Sequence, residues 1–382
     1  MFKYRMWILK VKWVAVFILL TACVERIHFD IPSAESQIIV EGMISDDPGP
    51  YLVKVSSGLN LDADSIVVFP LQNAKIKLYD DEGNTEDLIE NIPGEYATKG
   101  IIQGRVGHSY HIILETSEGK IFQSEPDKLN PVGEIQSIRY EYEARAKEET
   151  FGEVRADVFN IYLNSYAGST DENYVRWRYT GIFKASTNPE LYWYWALGFP
   201  LKDPWPCSGY IVVPAGQLPP TPPGSGRLEK ISECTCCTCY VSQFETIPQL
   251  SDGQFVSDNQ YKDIKVAEVS INGATFFDKY LVEIEQMSLS KSAFDFFKIF
   301  KAQKESSSSL FQPKNAQLKG NLSSVNSNDT VIGLFWATSI KRKSIFIPRI
   351  AVPYTLPPTL IPYPCDTYYS NATTTKPANW NE

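Results

Sequence analysis

The chain has 382 residues, 36 Lys and Arg against 45 Asp and Glu, a formal net charge of −9 and 43% hydrophobic residues. That length allows two or three domains with sizeable cores, and the acidic balance, with no basic cluster, argues against nucleic acid or anionic headgroups as partners. Tyr and Phe together reach 41 and Pro 25, a composition of short strands and turns rather than long helices.

The first 22 residues have three parts. Lys3, Arg5, Lys10 and Lys12 make a basic start without acids, Trp13 to Leu20 is an unbroken apolar run, and Thr21-Ala22 leads into Cys23. This is the layout of a secretory signal, and the run is too short to span a bilayer. A cysteine directly after Leu-Thr-Ala resembles the lipobox of bacterial lipoproteins. The resemblance implies cleavage before Cys23, lipidation of its thiol and new amine, and attachment to a membrane through acyl chains. An ordinary signal that leaves Cys23 as a free thiol is the plainer alternative. Without residues 1–22, 32 basic residues face 45 acidic ones, a net charge of −13. Residues 23–36 read as a polar tether.

Residues 37–130 read as a small β-sandwich. Gln37 to Ile44 is a strand, Asp46-Asp-Pro-Gly-Pro50 a turn, and Tyr51 to Ser56 the returning strand. Ala74, Ile76 and Leu78 alternate on one face of the next strand. Tyr110 to Glu115 and Lys120 to Ser124 flank the hairpin signal Thr116-Ser-Glu-Gly119. The spacing suggests a sandwich, and Gly83, Gly94-Glu-Tyr96 and Gly107 look like a transthyretin-like or Ig-like domain.

Residues 131–352 read as a second β domain. Ile135 to Glu143 and Val158 to Leu163 are strands. In Tyr174 to Tyr179, Val175, Trp177 and Tyr179 face away from Tyr174, Arg176 and Arg178, a pattern that resembles a fibronectin-III or Ig-like pair. Residues 186–260 interrupt it with Leu191-Tyr-Trp-Tyr-Trp195, the proline run 219–223 and four clustered cysteines. Strands resume at Ile264 to Ile271 and Lys279 to Met287. One helix is expected over 290–305, capped by Ser290 or Ser292, with Asp295 completing a box and Ala293, Phe296, Phe297 and Phe300 on one apolar face. Val331 to Thr338 and Ser344 to Arg349 close the domain, and residues 353–382 form a Pro/Tyr/Thr-rich tail. The fold class is therefore all-β: two sandwiches, one helix and a disulfide-linked insertion.

Apart from Cys23, six cysteines remain: Cys207, Cys234, Cys236, Cys237, Cys239 and Cys365. An even set in an exported chain points to disulfides, with connectivity open among fifteen full pairings. Cys236 and Cys237 are adjacent and poorly placed to bond each other, so each should reach another partner, with Cys207 and Cys365 as candidates. The Cys234 to Cys239 spacing also resembles metallothionein loops, but four sulfurs in an oxidising compartment favour disulfides, and no metal or cofactor is expected. His28, His108 and His111 match no catalytic motif, and Asp46-Asp47 and Asp80-Asp81-Glu82 sit at turn signals. No catalytic residue is assigned. Tyr192, Trp193, Tyr194 and Trp195 are candidates for partner binding, with burial in the core as the alternative.

Several stretches form an ordered set: Ile39 to Ile44, Pro48 to Tyr51, Tyr280 to Ser290 running into Ala293 to Phe297, Lys319 to Leu322, Gly333 to Ala337 and Ser344 to Ile347. This order resembles the family catalogued as domain of unknown function 4249, over residues 25 to 350. The resemblance implies a lipid-anchored outer-membrane protein of Bacteroidota, at the cell surface or on the periplasmic face, and a TonB-dependent receptor as partner. The expected role is non-catalytic, as an accessory or ligand-binding subunit of an envelope assembly. The alternatives are a glycan- or peptide-binding lipoprotein acting alone, or a hydrolase. Exported Bacteroidota proteins resemble one another in carrying O-glycans at Asp-Ser/Thr before an aliphatic residue, which marks Ser65 and Thr330 as glycosylation candidates.

Overall fold

The computed structural model describes residues 37–62, 65–149, 152–168, 173–192, 203–214, 226–251, 253, 256, 258–306 and 320–380. The signal segment, Cys23 and the tether lie outside the described residues. Ten strands come first: β1 (Gln37–Ser45), β2 (Leu52–Asp62), β3 (Ser65–Pro70), β4 (Lys75–Asp80), β5 (Thr85–Asp87), β6 (Ile89–Ile92), β7 (Glu95–Ala97), β8 (Ser109–Glu115), β9 (Ile121–Ser124) and β10 (Asp127–Lys128). They divide between two sheets, β1-β2-β7-β6 with β3 beside β2, and β9-β8-β4-β5 with β10 beside β8. Period-two alternation aims Val40, Val53 and Tyr96 of one sheet at Leu78, Ile112 and Phe122 of the other. At the β4 turn, Asp80 accepts the N–H groups of Glu82 (3.0 Å) and Asn84 (2.8 Å), so this acid serves the turn itself.

The second body follows: β11 (Ile135–Glu143), β12 (Ala146–Glu149), β13 (Gly152–Arg155), β14 (Val158–Tyr166), β15 (Val175–Ser186), β16 (Tyr210–Pro214), β17 (Gly226–Lys230), β18 (Thr238–Phe244), β19 (Gln249–Ser251), β20 (Gln260–Ser270), β21 (Lys279–Ser288) and helix α1 (Lys291–Ser306). A sheet of β11-β14-β20 packs on one built around β21-β15-β18. In β15 every second residue from Val175 to Ala185 is buried, as its alternation predicts. Tyr179 and Tyr280 join hydroxyls inside this core, and Tyr280 donates to Gln243 Oε1 at 2.6 Å. Gly181 makes room for the pair: a Cβ there would lie 1.8 Å from the Tyr280 hydroxyl. The structure also corrects the extent of the insertion. Thr238–Phe244 is a core strand paired with β15, and Gln249–Ser251 also pairs with β15, so the irregular stretch is shorter than 186–260. Alternation over so few residues, next to four cysteines, hid these strands from sequence.

Ser290 caps α1 by accepting Ala293 N–H at 3.2 Å. The Ser292–Asp295 box does not form. Ser292 donates to Asp127 (3.3 Å), while Asp295 pairs with Lys291. The buried face is Ala293, Phe294 and Phe297, packed on Leu334 and Trp336, with Phe296 only partly covered. Phe294 enters because three neighbouring positions of a helix, i, i+1 and i+4, share one stripe.

The chain then returns to the first body. β22 (Leu322–Ser324) pairs with β9, and β23 (Val331–Thr338) lies parallel to β1 in register Ile38↔Val331 through Ser45↔Thr338. The sequence reading placed both stretches in the second domain; the structure puts them in the sheets of the first. Gly333, at φ +132°, permits the close approach, since a Cβ would meet the Val40 carbonyl at 1.8 Å. Only Ser339 separates β23 from β24 (Ile340–Pro348), which pairs with β21 in the second body. The seam around Ser339 is buried and polar. Ser339 N–H donates to Ser288 Oγ (2.8 Å), Ser288 Oγ donates to the Asn130 carbonyl (2.6 Å), and Asp46 accepts Ile340 N–H (2.8 Å). Asp46 and Asp47 thus do more than turn a strand: Asp47 also pairs with Arg342 across the seam. The tail ends in α2 (Cys365–Tyr368) and β25 (Ala372–Thr373), which pairs with β18.

Candidate functional site

β15 runs from the seam at Val175 to an irregular end at Ser186, and the candidate site is built there. A 3-10 turn at Pro189–Leu191 carries the chain to Tyr192. A second, Pro206–Ser208, follows Trp205. The α2 turn brings Tyr363, Tyr368 and Tyr369 alongside. Ring centroids step outward from the core and then along the surface to half-buried rings: Phe183 to Tyr369 5.9 Å, Tyr369 to Tyr368 4.8 Å, Tyr368 to Tyr363 6.4 Å, Tyr363 to Tyr192 5.4 Å and Tyr192 to Trp205 5.2 Å. Phe183 is buried, whereas Tyr363 is 40% and Tyr368 53% exposed. Burial pushes the Tyr369 hydroxyl up to about 12, which fits its place at the inner end of the series. Leu360, Ile211 and Ile231 are also exposed. Of the sequence candidates, Tyr192 is half-buried within this series; Trp193, Tyr194 and Trp195 lie outside the described residues.

Three disulfides hold this end. Cys207–Cys236 joins the second 3-10 turn to the loop before β18. Cys234–Cys237 closes that loop on itself. Cys239–Cys365 ties β18 to α2 across 126 residues of sequence. The adjacent Cys236 and Cys237 thus take different partners, as strain requires, although Cys237 reaches Cys234 rather than a distant cysteine. Backbone bonds brace the same contacts: Thr187 N–H to the Cys237 carbonyl (2.8 Å), Cys365 N–H to the Cys236 carbonyl (2.9 Å) and Asn188 N–H to the Ile361 carbonyl (2.7 Å). Sequence reasoning missed Trp205, Tyr363 and Tyr368. Their signal was composition alone, an aromatic-rich tail and a Pro-Trp-Pro step.

The other candidates fall elsewhere. His108 pairs with Asp81 (2.9 Å), which holds the Asp81 carboxyl below its ordinary range. His111 stacks on Tyr79, 4.9 Å between centroids, and burial lowers its pKa. Thr330 is exposed just before β23; Ser65 opens β3, and its side chain lies outside the described residues. Among the described residues no group of three His, Cys, Asp or Glu side chains is arranged to hold a metal ion. A cleft of about 590 Å³ between β18 and β20 does carry two carboxylates, Glu245 and Glu268. Glu268 is held down to about 2 by Arg145 and Lys265, opposite to what a general acid needs, and Glu245 is ion-paired with Arg176. The model of a family described as a domain of unknown function (DUF4249) matches residues 24–344. No curated protein matches the chain.

Proposed function

The chain belongs to the DUF4249 family, and from that premise we propose that it is a non-catalytic, lipid-anchored envelope protein that docks a protein partner through the cross-linked aromatic end of its second sandwich. The observation that carries this reading is the series of rings that begins in the core at Phe183 and reaches exposed Tyr368 and Tyr363, beside three disulfides. Aromatic side chains give large contact area at low entropic cost, and a shape fixed before binding spares the ordering of a loop. Tyr363 and Tyr368, the exposed rings of the series, lie nearly parallel and turn a face toward each other, while Tyr363 also meets Tyr192 and Tyr368 meets Tyr369 edge to face, which leaves less open ring face for a sugar to stack on. That favours a protein partner over a glycan. The expected partner is a TonB-dependent receptor at the outer membrane, with Cys23 as the acylated anchor.

The test pairs Tyr363→Ala with Tyr368→Ala in the full chain. Both residues are substantially exposed, so each change is expected to alter stability by no more than about 0.5 kcal/mol. Loss of the two together is expected to weaken partner binding by on the order of 2 kcal/mol. Copurification from membranes and a thermal melt on the same variants supply both readings. Unchanged copurification would refute the docking role. Cys23→Ser, in parallel, is expected to release the protein from membranes.

A further inference from the structure

A second cleft, of about 520 Å³, lies at the junction where α1 crosses the outer face of the β1–β23 pair and meets the second sandwich. Its lining combines two chemistries. Phe297, Phe300, Ile332 and Trp336 supply apolar surface, and Arg176 and Lys304 supply positive charge. Each cation stands over a phenylalanine of the helix: Arg176 at 4.4 Å from the Phe297 centroid, Lys304 at 5.6 Å from that of Phe300.

Arg176 is the informative residue. Its side chain is only 14% exposed, so its donors need acceptors. Nε and Nη2 both address the same oxygen, Oε1 of Glu245, while Glu245 Oε2 accepts Tyr179 N–H at 3.4 Å. Nη1 has no acceptor among the described residues. A guanidinium held by stacking and by one ion pair, with a donor edge left over in a cleft of ligand size at a domain junction, is a built anion anchor. Glu41, on β1, is the other acid lining the cleft.

We propose that this cleft binds a small amphipathic carboxylate, with its apolar body along Phe297, Phe300 and Trp336 and its carboxylate on the free edge of Arg176. The site is separate from the aromatic end and goes beyond the docking function. Glu245 and Glu41 balance the charges of Arg176 and Lys304 in the lining, so the preference for a carboxylate over a neutral head group rests on the unfilled Nη1 donor of Arg176 above the apolar floor.

Dodecanoate is the probe and dodecanol its neutral counterpart, each titrated into the full chain by calorimetry. Dodecanoate is expected to bind at least tenfold more tightly than dodecanol. The double variant Arg176→Gln/Glu245→Gln removes the charge without leaving a lone buried ion, and is expected to abolish that preference while the far-ultraviolet circular dichroism stays native. Phe300→Asp, at a half-exposed helix position, is expected to weaken both probes at least tenfold. If the wild-type chain shows no saturable binding of dodecanoate, or if the double variant keeps the preference for dodecanoate, the proposal is overturned. Should the double variant lose native circular dichroism, Phe300→Asp alone decides: unchanged affinity for dodecanoate would overturn the site.

Discussion

The two sandwiches are held together differently. The first contains 18 buried core residues and the second 25 among those described, yet all three disulfides belong to the second. If cross-links served mainly to rescue a weak core, the smaller one should have them. They sit instead at the far end of β15, 11 residues and roughly 36 Å from the seam. The first sandwich is closed by topology, because β23 returns to cover β1. The second is closed by strand pairing along most of its length and by covalent bonds at the last rungs of the β15–β18 ladder and beyond them. The cross-links therefore govern the shape of an irregular, aromatic surface rather than the survival of the fold.

The largest expected effect tests the closure by topology. Phe335 on β23 is 1% exposed in the first core. Phe335→Ala is expected to destabilise by about 3–5 kcal/mol. Hydrogen exchange should show the loss in β1 and β2, nearly 300 residues away in sequence. A loss confined to the second sandwich would break the assignment of β23.

A smaller effect sharpens the contrast. Cys239 and Cys365 are fully buried, and their bond spans 126 residues. Replacing both by Ala is expected to cost about 2–4 kcal/mol, with proteolytic cuts appearing near α2 first and the first sandwich intact. Equal loosening of both sandwiches would show that the bond stabilises the whole chain rather than one end.

The smallest effect comes from two carboxylates near the seam with opposite surroundings. Burial would raise Glu285, but Arg178 and Arg342 outweigh it and hold the group below its ordinary value of 4.5. Its stabilisation is therefore present above that value and lost as pH falls through the lowered one. Asp127 is pushed up from 3.8 by burial, with only neutral donors at Ser290, Ala337 N–H and Ser292. Its contribution is present below 3.8 and is lost as pH rises through the raised value. Urea midpoints measured from about pH 3 to 7 check both. Glu285→Gln should flatten the acid limb, and Asp127→Asn should remove a decline on the rising side.

Local pattern determined much of this protein from sequence. The oxidised cysteines follow from their even number behind a signal-like start. The alternation of β4 and β15, the helix that begins after Ser290 and the all-β class follow from spacing, because spacing fixes which face of an element a residue occupies. The family order was legible for the same reason. Partner choice was not. Nothing within Val331 to Thr338 says that it lies parallel to β1 rather than in the sheet of its sequence neighbours, and nothing in Asp46 points to Ile340. Which cysteines pair, and which tail tyrosines join the core aromatics at Phe183, were likewise decided by the fold. A strand's side-chain period is the same for any neighbour, so the face is written locally while the neighbour is chosen by long-range packing.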